Sequence, residues 1–137
     1  MRKGWTLAMC GGVGLLGLTV WASEKPPAEF ANAMKISAAA QAAATKAMKD
    51  ENFEEVEKQA AMIVEAFPAV EKYWAVRAPD VLPMVRVASK AASDLRVSAQ
   101  QRSVEGLEYS SKDLTEACTT CHAAHREKMP DGTFEIK

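Results

Sequence analysis

Apolar residues recur every three or four positions through most of this 137-residue chain. This is the spacing of helices that bury one face, and it constrains the fold more than any other feature. After Pro27 the spacing continues through four segments, and neither an alternating strand pattern nor a long repeat competes with it. The sequence therefore predicts an all-α protein, in which four amphipathic helices with mostly short joins form an antiparallel four-helix bundle.

The four predicted helices cover residues 28–49, 53–67, 81–97 and 103–128. Pro68 is expected to end the second helix, because proline removes a backbone donor and clashes with the preceding turn. The longest connection then runs from Pro68 to about Asp80, with a short helical turn over residues 69–76. Pro130-Asp131-Gly132 is expected to end the fourth helix, and the last five residues to form a tail.

The first and last helices carry the stripes that we expect to face the core. The predicted stripe of the first helix is Phe30, Met34, Ser37, Gln41, Ala44 and Met48. That of the fourth is Val104, Leu107, Ser111, Leu114, Cys118, Cys121 and His125. Both follow the spacing of an amphipathic helix, so the cysteines are predicted to lie on the core-facing seam.

The sequence Cys118-Thr119-Thr120-Cys121-His122 is a C-x-x-C-H motif near the end of the fourth helix. On a helix its two thiols and its imidazole emerge on one face. Two thiols at this spacing can each add to a vinyl group of a porphyrin, and the following imidazole can reach the iron. The motif therefore predicts one covalently attached haem c, with thioether bonds to Cys118 and Cys121 and with His122 as the proximal iron ligand.

Other kinds of site would use the same residues. A structural zinc site would take four ligands, and the chain supplies Cys118, Cys121, His122 and His125, although zinc ligands normally come from two separated segments. A thioredoxin-like site would need a βαβ unit, and a disulfide across three helical residues has poor geometry. Because no nucleophile–base constellation is apparent, we do not expect an enzyme. The net charge is −1 and no basic block occurs, so no nucleic-acid partner is expected.

Residues 1–22 are typical of a secretory signal peptide. Arg2 and Lys3 form a charged start, Leu7–Val20 is uncharged and largely apolar, and Val20-Trp21-Ala22 resembles a cleavage site. Cleavage would leave residues 23–137 as one periplasmic domain, and Cys10 would leave with the signal. The apolar run is short for a membrane span, so no span is expected in the mature chain, although an uncleaved anchor stays an alternative.

The motif near the C-terminus resembles that of the class II cytochromes c, the family of cytochrome c-prime and its low-spin relatives. In that family an arginine typically follows the haem histidine by four positions, as Arg126 follows His122. Ala33-Met34-Lys35 is similar to the family's first-helix motif. The resemblance covers the whole of residues 23–137 in helix order, and it implies a four-helix bundle that carries one haem.

The resemblance also implies roles for individual residues. In low-spin members the methionine matching Met34 is the distal iron ligand, which implies a one-electron carrier that serves redox partner proteins. In c-prime members the iron is five-coordinate, which implies binding of nitric oxide or carbon monoxide instead. Arg126 or Lys35 would contact a haem propionate, since Phe30 stands where relatives often have an arginine. Relatives often form dimers, so a homodimer is also an open expectation.

Overall fold

The computed structural model describes residues 23–137, and most of them lie in four α-helices. The helices are α1 (Ala28–Lys49), α2 (Phe53–Arg77), α3 (Leu82–Gln100) and α4 (Val104–His125), with a 3-10 turn at Pro79–Val81. Two short strands follow, β1 (Arg126–Lys128) and β2 (Phe134–Ile136). The predicted all-α class with four helices is confirmed, whereas the predicted signal peptide, residues 1–22, lies outside the described residues.

Successive helices pack side by side along their lengths. α1 packs on α2, α2 on α3, and α3 on α4, whereas within residues 23–137 the backbones of α1 and α4 seldom approach closely. The core between the helices contains many alanines together with Val56, Ile63, Leu95 and Leu114, which are almost completely buried. Small side chains let the axes of packed helices approach each other. The helices are therefore close in the pairs α1–α2, α2–α3 and α3–α4, and farther apart between α1 and α4. None of the helices in residues 23–137 has both the length and the apolar character that crossing a membrane requires.

The second helix is longer than the sequence predicts. α2 continues through Pro68 to Arg77, so the expected break after Phe67 is wrong. Val70 and Trp74 continue the buried face of this helix, while Pro68 lies on its exposed side. Burial of those two side chains outweighs the one backbone hydrogen bond that proline removes, and the ring meets solvent rather than a neighbouring helix.

The predicted C-terminal tail is instead a strand of a small hairpin. α4 ends at His125 rather than Lys128, and Arg126–Lys128 pairs antiparallel with Phe134–Ile136. The turn between them places Gly132 at a φ of 84°, a conformation that favours glycine, and the Asp131 carboxylate accepts bonds from Thr133. Ile136 is buried and exchanges two backbone hydrogen bonds with Glu24, which joins the start of the described chain to its end.

The buried faces of α1 and α4 are rotated from the predicted stripes. In α1 the buried residues are Phe30, Ala33, Ala40, Ala44 and Ala47. In α4 they are Leu107, Ser110, Leu114 and Ala117, while Val104 is 52% exposed. Several residues of the predicted stripes, including Met34 and both cysteines, are therefore only partly buried and lie at the margin of the core.

Candidate functional site

The two thiols of the C-x-x-C-H motif lie at the edge of the core in the last turns of α4. Cys118 and Cys121 are unpaired, partly buried and packed against the core. Burial raises the pKa of both thiols, and the charge of Cys121 raises that of Cys118 further. Both side chains are therefore protonated at neutral pH and available on one helix face.

The imidazole of His122 follows the second thiol and is also partly buried. Burial lowers its pKa, and the positive charge of Arg126 lowers it further. Both effects favour the neutral imidazole, which is the form that binds a metal ion. Arg126 itself is exposed, and its guanidinium lies 4.2 Å from the centre of the Phe134 ring. Its predicted contact with a haem propionate stays a prediction.

A single hydrogen bond sets the register between α1 and α4. Gln41 Nε2 donates to Thr115 Oγ1 at 3.0 Å. Met48, seven residues after Gln41, lines one groove together with Glu108, seven residues before Thr115. An antiparallel pair of helices would make these contacts, and it would also make the hydrogen bonds between Glu24 before α1 and Ile136 in the hairpin after α4.

The same spacing aligns the two predicted iron ligands. Met34 is seven residues before Gln41, and His122 is seven residues after Thr115. Seven residues make almost two full helical turns. Met34 therefore lies on nearly the same face of α1 as Gln41, and His122 on nearly the same face of α4 as Thr115. This spacing predicts that Met34 and His122 lie level with each other on the facing sides of α1 and α4.

The space between α1 and α4 is only partly filled by side chains. An open groove of about 580 Å³ is lined by Met48 from α1 and by Ser111, Thr115 and Thr119 from α4, among others, whereas Met34, Cys118, Cys121 and His122 do not line it. Ser37, one turn after Met34, has a buried hydroxyl oxygen without a hydrogen-bond partner. A buried hydroxyl without a partner is costly, which indicates that this side of α1 faces a group other than these side chains.

A cluster of aromatic rings joins α1, α2 and α4 at the end nearest the hairpin. Trp74 contacts His125 at 5.2 Å between ring centroids, Tyr73 at 5.1 Å and Phe30 at 6.2 Å. Phe30 precedes Met34 by one turn and His125 follows His122 by one turn, so the cluster borders the aligned pair. From the sequence, Tyr73 and Trp74 are expected to cover the core, with packing against the edge of a porphyrin as the alternative. The sequence contains no signal for their contacts with Phe30 and His125.

The residues fit a haem c better than they fit the other kinds of site. In the described part of the chain no group of three or more His, Cys, Asp or Glu residues could hold a metal ion, so the four ligands of a zinc site are not brought together. The two thiols are not joined as a disulfide. Paired thiols, a neutral imidazole and a thioether are the donors that a covalently bound haem uses, and the chain supplies all of them on α1 and α4.

Comparisons of the chain with protein-family models, curated proteins and solved structures find no match.

Proposed function

We propose that this protein is a periplasmic mono-haem c-type cytochrome that carries single electrons. The observation that carries the proposal is that the unpaired, partly buried thiols of Cys118 and Cys121 lie beside the imidazole of His122 in the last turns of α4. The spacing from the hydrogen bond between Gln41 and Thr115 supports Met34 as a ligand on the facing side of α1. In this proposal the helices form an antiparallel four-helix bundle, and the haem occupies the one space that adjacent helices do not close.

Each residue of the site has a defined task in this function. Cys118 and Cys121 hold the porphyrin to α4, so that the group is kept even during partial unfolding. The neutral imidazole of His122 and the thioether of Met34 would be the protein ligands that hold the iron. A bound haem supplies the reversible ferric–ferrous couple, and a methionine ligand raises its potential by favouring the ferrous state. The small side chains of α1 admit a flat group close to its backbone.

Binding of nitric oxide or carbon monoxide by a five-coordinate iron is the second candidate function. It is supported by the contact of Met34 with the core, which is also the placement of a methionine that only fills space. In that case the side of the iron opposite His122 accepts a small diatomic molecule, and the reduced protein changes its spectrum when carbon monoxide is added.

The proposal also covers where the protein is located and which proteins it binds. The motif requires haem-attachment machinery outside the cytoplasm, and the pattern of residues 1–22 supports export to the periplasm. We propose redox proteins as partners, together with a homodimer as the oligomeric state to be examined by light scattering.

The function is tested by expressing the full chain in a host with functional haem-attachment machinery. The intact mass of the purified protein should equal that of the polypeptide plus one haem, and its reduced spectrum should show the sharp bands of a low-spin haem c. A Cys118→Ser/Cys121→Ser double variant from the same host is the matched control and should carry no covalent haem. A colourless wild-type protein of unmodified mass would overturn the proposal, and zinc in that protein would favour the zinc site instead.

A further inference from the structure

Aromatic rings form a continuous path from the end of α4 to the protein surface. The His125 ring contacts that of Trp74, which is 3% exposed, at a tilted angle, and Trp74 contacts Tyr73. Phe30 contacts Tyr73 at 4.5 Å between centroids and so closes the cluster against α1. Tyr73 is only partly buried and lines a surface pocket of about 270 Å³ with Lys72, Val76 and Arg77.

The inner end of this path borders the proposed haem space. Phe30 and His125 each lie one turn from a predicted iron ligand, Met34 and His122 respectively, and Trp74 touches both rings. Electron tunnelling weakens steeply with distance through saturated groups, and packed aromatic rings shorten the gaps between successive contacts. A buried tryptophan at this position is therefore well placed to couple an iron centre to the surface.

We propose that Trp74 and Tyr73 form the route by which an electron leaves the haem for an external acceptor. The inference rests on the proposed function, since it needs a haem between α1 and α4. In each transfer the ferrous iron loses one electron and a one-electron acceptor at the surface gains it, and neither ring is consumed or keeps a charge. Electrons leave where Tyr73 reaches the surface pocket.

The surroundings of Tyr73 keep the ring in one orientation. Its hydroxyl donates to Glu24 Oε1 at 3.2 Å, and Glu24 is held in turn by Arg77 at 2.6 Å. Glu24 is fixed by its backbone bonds to Ile136 at the hairpin. Contacts from α2 and the sheet thus hold Tyr73 against Trp74, so that the distance between the two rings varies little.

The route is tested by timing electron transfer from the haem to a ruthenium complex attached near Tyr73. Val76 is 87% exposed, so a Val76→Cys thiol can be labelled on haem-loaded protein, in which both motif thiols are already bonded. A laser flash excites the ruthenium, an added one-electron oxidant such as a ruthenium hexaammine or viologen quencher takes an electron from it, and the resulting Ru(III) takes an electron from the ferrous haem, whose absorbance reports its oxidation. Replacing Tyr73 with leucine should slow this transfer several-fold, whereas Tyr73→Phe, which keeps the ring, should leave it close to the parent rate. Trp74→Leu should slow it further.

Two controls separate the route from general damage to the protein. The same variants labelled through Val87→Cys on α3, a position 57% exposed, should transfer electrons at the parent rate. Tyr109→Leu, which removes an exposed ring outside the cluster, should change neither rate. The visible spectrum and the quenching of Trp74 emission in the Tyr73→Leu variant show that haem and fold are intact.

The outcomes distinguish failure of the route from failure of the function. If the haem-loaded Tyr73→Leu variant transfers electrons to ruthenium at position 76 at the parent rate, the route is overturned and the cytochrome proposal stands. Equal slowing of electron transfer to ruthenium at position 76 and at position 87 also overturns the route, because the effect would then lie at the haem itself. A protein without covalent haem and with bright Trp74 emission overturns both.

Discussion

The indole of Trp74 faces the imidazole of His125, with 5.2 Å between the ring centroids and 56° between their planes. This contact joins the second half of α2 to the last turn of α4, three residues after the histidine of the C-x-x-C-H motif. Trp5 and Trp21 precede Ser23, so Trp74 is the single tryptophan of residues 23–137. Its emission therefore reports on the site directly.

We expect the fluorescence of Trp74 to be almost completely quenched in haem-loaded protein that begins at Ser23. A haem held by Cys118 and Cys121 would lie close to the indole and accept its excitation energy. Emission should be strong in the Cys118→Ser/Cys121→Ser variant and should return in the wild type when denaturant separates α2 from α4. Steady-state fluorescence of folded and unfolded samples measures both effects. Bright emission from folded, haem-loaded protein would contradict a haem beside Trp74.

Replacement of Met34 by alanine is expected to change the spin state of the iron. Loss of the thioether leaves the side of the iron opposite His122 without a protein ligand, so the low-spin spectrum should become high-spin. The reduction potential should fall, since axial ligands set haem potentials over roughly 0.8 V. Visible spectroscopy and a redox titration measure the two changes.

Met48→Ala is the matched control for this prediction, because Met48 lies on the same predicted stripe of α1 but lines a groove that His122 does not line. Its spectrum should match that of the wild type. A high-spin spectrum in the wild-type protein, or an unchanged one in Met34→Ala, would instead support the five-coordinate protein that binds diatomic gases.

The alanine content of α1 explains why its buried face was predicted only in part. The predicted stripe followed the large side chains of Met34 and Met48, whereas the core contacts Ala33, Ala40 and Ala47. When most positions of a helix are alanine, hydrophobicity hardly distinguishes one face from another, and packing of α2 decides which methyl groups are buried. The bounds of α1 were nevertheless correct, because helix propensity is high along its whole length.

The motif could be identified from sequence because its chemistry depends on near neighbours on one helix. The aromatic cluster could not, because Phe30, Trp74 and His125 come from three helices and meet only after these have packed. The hairpin was missed for a related reason. Strands of three residues show no reliable alternation, and Ile136 is their one buried side chain.

Tyr73 is expected to make the stability of the protein fall at high pH. Its pKa is raised to about 12, chiefly because burial disfavours the phenolate, while Arg77 lowers it and Glu24 raises it. The folded protein thus holds this proton more tightly than the unfolded chain, in which the pKa is 10.0. The stabilisation is complete below pH 10 and is lost as the pH rises toward 12.

Urea unfolding across this pH range measures the effect. In Tyr73→Phe the free energy of unfolding should decline less between pH 10 and 12 than in the wild type. Tyr109→Phe removes the other tyrosine, which is 69% exposed, and should keep the wild-type decline. The same variant leaves Tyr73 as the one tyrosine, so the phenolate absorbance then follows its ionisation alone. An identical decline in all three proteins would contradict the prediction.

Pro68→Ala should stabilise the protein, because α2 continues through this position without needing a break. Alanine restores the backbone donor to the carbonyl of Val64 and removes the clash of the proline ring, and Pro68 makes no buried contact that would be lost. The free energy of unfolding should rise by up to about 3 kcal/mol, the difference in helix propensity between the two residues.

Pro83→Ala is the matched control, since Pro83 lies in the first turn of α3, where the missing donor has no partner anyway. That change should stay within about 0.5 kcal/mol. If urea unfolding showed Pro68→Ala to be no more stable than the wild type, the helix would have to be interrupted at Pro68 after all, and the positions of Tyr73 and Trp74 beside α4 would need to be fixed by another contact.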